Sequence, residues 1–185
     1  LADAGALAAM LAELDGGEAP LRGVVHAAGG TADGSITTLT EAQVVQVLGP
    51  KAGGAWALHQ ALGDRELGAF VLVSSAAGVL GVPGQANYAA ANASLDALAR
   101  HRRSLGLTGT SLAFGPWDGV GLAAGVEDAV RRRWAAEGVV PIRPEVALDA
   151  LGGLMTGRVA DLVIAPFEWP LYARRRPSTM ALLKT

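Results

Sequence analysis

The chain has 185 residues, 51% of them hydrophobic, and a mean hydropathy of +0.33; that is enough apolar material for one domain with a sizeable core and excludes a disordered chain. A net charge of −2 lacks the basic field of a nucleic-acid binder, and no apolar run approaches the length of a membrane span. The absence of cysteine excludes disulfides and thiolate metal sites and fits a cytoplasmic setting.

Residues 2–14 are rich in Ala and Leu and read as a helix that Gly16 and Gly17 stop. Asp3 and Glu13, with no basic leader, make this segment unlike a signal peptide. Residues 21–28 read as a short buried strand ended by Gly29 and Gly30. Residues 40–62 read as a long helix with Thr40 as its N-cap; Glu41 stands too close to complete a capping box. Gly49-Pro50 predicts a kink or break just before Lys51. The run Phe70-Val71-Leu72-Val73 predicts a second, fully buried strand, and Gly78, Gly81, Pro83 and Gly84 predict a loop after it. A helix over 87–105 and a strand over 108–114 follow. Residues 115–119 read as a loop and 120–138 as helical in pieces. Residues 144–155 read as a helix with Pro in its first turn, and 161–165 as a last strand. Residues 166–185, with Arg174-Arg175-Arg176-Pro177, read as a tail or the start of a linker. Strands alternating with helices predict an α/β domain with a parallel sheet and right-handed crossovers.

The chemistry concentrates in residues 74–92. Ser74 and Ser75 fall at a strand end, where open α/β sheets place their sites. Tyr88 and Asn92 are four apart and share one face of the next helix. Their plain reading is a core aromatic and a surface amide. The segment Gly29-Gly30-Thr31-Ala32-Asp33-Gly34 is glycine-rich, but its spacing is not that of a Gly-x-Gly-x-x-Gly phosphate loop.

These residues resemble the active site of short-chain dehydrogenase/reductases, and more narrowly that of the ketoreductase domains of modular polyketide synthases. The likeness lies in Ser-Ser-Ala-Ala-Gly at 74–78 and Tyr-Ala-Ala-Ala-Asn-Ala-Ser-Leu-Asp-Ala-Leu-Ala at 88–99. Most of the superfamily carries Tyr-x-x-x-Lys. Here Asn92 takes the Lys position and Lys51 lies upstream in Gly-Pro-Lys-Ala-Gly-Gly-Ala-Trp, an exchange that marks the polyketide subfamily. The resemblance weakens after Gly125. It implies a Rossmann-like parallel sheet whose first three strands and Gly-rich turn lie upstream of residue 1. Residues 1–165 would then be the C-terminal part of a ketoreductase catalytic domain. The implied reaction is NADPH-dependent reduction of a β-ketoacyl thioester on an acyl carrier protein, among other polyketide synthase domains. Two alternatives stand beside it: a free-standing short-chain carbonyl reductase, and a non-reducing structural or epimerising domain.

The resemblance also implies roles. Tyr88 is the proton donor. A free phenol has a pKa of about 10, which a nearby ammonium lowers, so Lys51 has a task there; its plain reading is a solvated helix lysine. Ser75, thirteen residues before Tyr88, hydrogen-bonds the carbonyl oxygen, with Ser74 as the backbone-bonded alternative. Asn92 holds Lys51 or a relay water. Ala27, Ala28 and Gly29 resemble the segment under the cofactor's adenosine side, and Gly115, Pro116 and Trp117 the loop against the nicotinamide; Lys51 and Tyr88 complete the cofactor set. Phe114 departs from the subfamily's usual Trp, and residues 119–125 correspond to its mobile lid. Asp33 is the surviving residue of the Leu-Asp-Asp mark of B-type enzymes. Leu80 stands where A-type enzymes carry Trp. Together they imply a B-type, (3R) product, and Ala90 in place of Pro implies no epimerisation. The plain reading of Asp33 is a turn former beside Gly34. His26 reads as a packed strand-end histidine. His59 and His101 read as isolated, with no metal site. Trp134 and Trp169 read as packing residues, Arg131–Arg133 and Arg174–Arg176 as solvated faces, and Asp118 as a loop acid without a role.

Overall fold

The computed structural model describes residues 4–155 and 159–182. Among the described residues four strands form one sheet in the order β1-β2-β3-β4: β1 is Gly23–His26, β2 Ala69–Ser75, β3 Thr110–Phe114 and β4 Asp161–Ile164. Every neighbouring pair is parallel, so each strand is reached through a helical crossover. Helix α1 is Ala4–Asp15, α2 Glu41–Leu48, α3 Gly54–Leu62, α4 Ala77–Leu80 and α5 Ala86–Ser104. Further on, α6 is Asp128–Glu137, α7 Pro144–Leu154, α8 Trp169–Arg175 and α9 Pro177–Leu182. The expected α/β architecture is therefore present.

The two-residue period of β2 divides the core. Phe70 and Leu72 face one side, where Leu7, Leu11, Leu58, Leu95 and Leu98 of α1, α3 and α5 cover them. Ala69 and Val71 face the other, packed with Leu112, Ile142 and Ala147. Burial on both faces is why β2 reads as a continuous apolar run and not as an alternating one. Among the described residues β1 pairs only with β2, and Val25 on it is 49% exposed. No helix among the described residues is long and apolar enough to cross a membrane.

Several local expectations are corrected. A capping box does close on Thr40, through Gln43 and not Glu41: the Gln43 N–H donates to Thr40 Oγ1 and the Thr40 N–H to Gln43 Oε1. Gly49-Pro50 interrupts the α-helix where expected, as a change of helix type and not as a break. It opens a π-helical turn, Gly49–Gly53, that continues into α3. The loop expected from Gly78 onward begins instead as the single turn α4, and a Cβ on Gly78 would stand 3.0 Å from Ala93 N of α5. That glycine serves close packing, not turning. Residues 166–182, read above as a tail or the start of a linker, fold into helices. They carry α8 and α9, bury Tyr172 against Phe167 and Trp169, and join α6 through Arg176 and Glu137 at 2.6 Å. His59 and His101 are not isolated: their rings cluster with Trp56, and His59 Nδ1 accepts from Arg102 Nη1 at 3.1 Å. Two of the presumed solvated arginines are engaged as well, Arg131 with Asp118 and Arg133 with Glu137.

Candidate active site

The carboxyl ends of β1, β2 and β3 meet the π-helical turn and the first turns of α5. Ser74 and Ser75 end β2 with different tasks. The buried Ser74 donates through Oγ to the Asn92 carbonyl at 3.3 Å, tying strand to helix. Half-buried Ser75 turns to the other face, accepts from the Ala77 N–H at 3.2 Å, and lies near enough to the Tyr88 phenol to act on its ionisation. Tyr88 and Asn92 stand one turn apart on α5, where Asn92 Nδ2 donates to the Tyr88 carbonyl at 2.8 Å. Asn92 is fully buried, and its Oδ1 has no hydrogen-bond partner.

Lys51 points inward from the π-helical turn and is 5% exposed. Its Nζ donates to the Val73 carbonyl at 3.0 Å and lies 5.7 Å from the centre of the Tyr88 ring. The stem passes over Gly29, where a Cβ would come within 2.9 Å of Cε. The plain reading of Lys51 as solvated is thus overturned. Its amine rests on a strand carbonyl and not on Asn92, whose amide N–H is spent on its own helix. Burial lowers the Lys51 pKa to about 8, opposed by the negative charge of Asp96. Tyr88 moves the other way from the direction expected with an ammonium nearby. Burial pushes its phenol up, the polar side chains of Ser75 and Asn92 beside it oppose this, and the charge of Asp33 adds to it.

Asp33 reaches the site through a clasp. Its carboxylate accepts from Gln85 Nε2 at 2.9 Å, Gly34 N donates to the Gly84 carbonyl at 2.8 Å, and Asn87 Nδ2 donates to the Ala32 carbonyl at 2.8 Å. It is therefore more than a turn former. Leu80 ends α4, and its carbonyl accepts from Thr179. Trp117 meets Phe114 edge to face at 5.3 Å, and the Pro116 carbonyl accepts from Ile142 N. A Cβ on Gly115 would stand 3.1 Å from that of Ala165. His26 is buried at the end of β1, and its Nε2 lies 2.9 Å from the Lys51 carbonyl.

Sequence reasoning missed Gln85, Asn87 and Asp96. Asp96 had a signal, since 88, 92 and 96 fall on one helical face. The Gln85–Asp33 bond spans fifty-two residues and has no local signature. The residues present fit part of a dinucleotide. Ala27, Ala28 and Gly29 carry nothing beyond Cβ, a Cβ on Gly30 would meet no atom within 4 Å, and the unpartnered Asn92 Oδ1 leaves an acceptor beside Tyr88.

A sequence profile described as "KR domain" matches residues 1–119. The spectinabilin polyketide synthase system protein NorB of Streptomyces orinoci is 49% identical over 149 residues, which is 80% of this chain and 7% of that protein. Polyketide synthase GfsB of Streptomyces halstedii is 43% identical over 186 residues, 98% of this chain and 3% of that protein. Among solved structures, that of A-type ketoreductases from a modular polyketide synthase superposes with a TM-score of 0.87 at 44% identity, covering 97% of this chain and 37% of that one. The first ketoreductase of the tylosin polyketide synthase gives 0.82 at 40% identity, covering 97% and 38%. The chain thus spans a small fraction of its curated relatives and under half of the solved ketoreductases. On the profile, the relatives and the fold together, this chain belongs to the KR domain family, the ketoreductase domains of modular polyketide synthases.

Proposed function

We propose that the chain carries the proton-donating part of an NADPH-dependent ketoreductase, which reduces a β-ketoacyl thioester on an acyl carrier protein to the β-hydroxyacyl thioester during polyketide extension in the cytoplasm. The observation that supports this most is the convergence of Ser75, Tyr88, Asn92 and buried Lys51 at the carboxyl edge of the sheet. Ser75 donates a hydrogen bond to the ketone oxygen and strengthens it as charge develops there. The Tyr88 hydroxyl gives that oxygen its proton, leaving a phenolate. Lys51, when charged, stabilises the phenolate across the 5.7 Å to the ring centre. Asn92 Oδ1 accepts from a relay water. NADPH, held along Ala27, Ala28, Gly29, Lys51, Tyr88, Gly115, Pro116 and Trp117, supplies the hydride when bound. Asp33 and Leu80 flank the approach and set a B-type outcome.

Tyr88→Phe, introduced into the complete ketoreductase, removes the donated proton and leaves the ring in place. General acid catalysis is worth roughly 10²–10⁴-fold, so kcat for a β-ketoacyl thioester falls by at least a hundredfold with the circular dichroism spectrum unchanged. A variant retaining more than about a tenth of wild-type kcat contradicts the role.

A further inference from the structure

The side chain of Lys51 is held at Nζ by Val73 of β2 and along its stem by Gly29. Its main chain is held as well. A π-helical turn widens the helix and re-aims its residues, so the direction of Lys51 depends on what fixes Gly49–Gly53. The Lys51 carbonyl lies 2.9 Å from Nε2 of His26. A carbonyl only accepts, so Nε2 carries the proton and His26 is the donor. His26 is 3% exposed, and burial keeps its ring neutral by lowering its pKa, an effect that the Lys51 charge reinforces and the bond to the Lys51 carbonyl opposes. In the sheet His26 pairs with Leu72, the residue before Val73. The two anchors of Lys51 therefore sit side by side on adjacent strands, one for its carbonyl and one for its amine.

We propose that His26 is a positioning residue for Lys51: its Nε2–H holds the π-helical turn at the depth where the amine reaches the Val73 carbonyl and the face of Tyr88. This rests on the reading of Lys51 as part of the site. A histidine that only filled space would tolerate an apolar residue of similar size. A histidine that acts through Nε2 is replaceable by Gln, whose amide nitrogen reaches as far, and not by Asn, whose amide nitrogen reaches only to the place of Nδ1.

The sequence contains one other lysine, Lys184, which provides an internal reference. In the full 185-residue chain, His26→Gln, His26→Asn and His26→Leu are compared with the wild type by competitive acetylation of amines from about pH 6 to 11. Labelled peptides of Lys51 and Lys184 are quantified by mass spectrometry, with thermal unfolding measured alongside. The other groups facing the Lys51 amine, Tyr88 and Asp96 on α5, are unchanged in all three variants. The wild type and His26→Gln give a Lys51 midpoint near 8. His26→Leu and His26→Asn raise it by about one pH unit or more as the amine leaves its buried seat. A folded His26→Leu with the wild-type midpoint overturns the proposal, as does a His26→Gln that shifts as far as His26→Leu. If none of the three variants folds, His26 serves the fold and the proposal is overturned as well. Labelling reads Lys51 without turnover, so a failure of the Tyr88 role in catalysis leaves this result standing, and the reverse also holds.

Discussion

Buried Lys51 and half-buried Tyr88 share one place and are displaced in opposite directions by it. Burial disfavours the charged form of each, which lowers the amine to about 8 and raises the phenol. Lys51 therefore carries its proton below about pH 8 and loses it above. In the proposed mechanism only the charged amine supports a phenolate, so kcat/KM for a β-ketoacyl thioester is expected to fall as pH rises through about 8 in the complete ketoreductase. Initial rates across that interval check this; a profile flat through 8 and falling only near 10 contradicts it, and Lys51→Arg moves the limb upward. Tyr88 and Asn92 were legible because a four-residue spacing defines a helical face, and the same rule extended one turn reaches Asp96. Burial of Lys51 was not legible. Its seat depends on Gly29 and Val73, each twenty-two residues away in sequence on opposite sides, and residue type alone favours a solvated lysine.

At the scale of elements, sequence located the helices and strands well and their junctions poorly. Gly and Pro signalled irregular backbone at 49–50 and 78–84, but the outcomes were a π-helical turn and a short helix, because neighbouring elements supply the contacts that decide between break and bend. The last helices escaped notice for the same reason. The arginines of 174–176 suggest solvent, yet Arg176 is drawn in by Glu137 of α6. Gly138 closes that joint. It ends α6 with a φ of 76°, and a Cβ there would stand 2.9 Å from both Glu168 O and Tyr172 N. Both are backbone atoms and cannot swing aside. Gly138→Ala accordingly costs about 1–3 kcal/mol, and the thermal midpoint drops by several degrees, at roughly 2–4 °C per kcal/mol for a domain of this size. A change below about 1 °C in a calorimetric scan contradicts this account of the joint.

At the scale of the molecule, the parallel sheet followed from alternating strands and helices, and the place of the site from the rule that such sheets work at their carboxyl edge. What the alternation could not convey is which loops meet across that edge. Asp33 and Gln85 clasp two of them beside Tyr88, while Leu80 stands on α4 and meets α9 through Thr179. In the proposed reaction the side from which a carrier arm enters decides which carbonyl face is reduced, and a hundredfold preference needs only about 2.7 kcal/mol. The surviving Asp33 and the absence of Trp at Leu80 support B-type entry, although a structural relative at 44% identity is described as A-type. The most direct measurement uses the complete ketoreductase with NADPH and a racemic α-methyl-β-ketothioester, with the product resolved by chiral chromatography. The expected result is NADPH oxidation matched by a (3R) alcohol. A predominantly (3S) alcohol contradicts the B-type assignment, and no NADPH-dependent alcohol at all contradicts the proposed reaction itself.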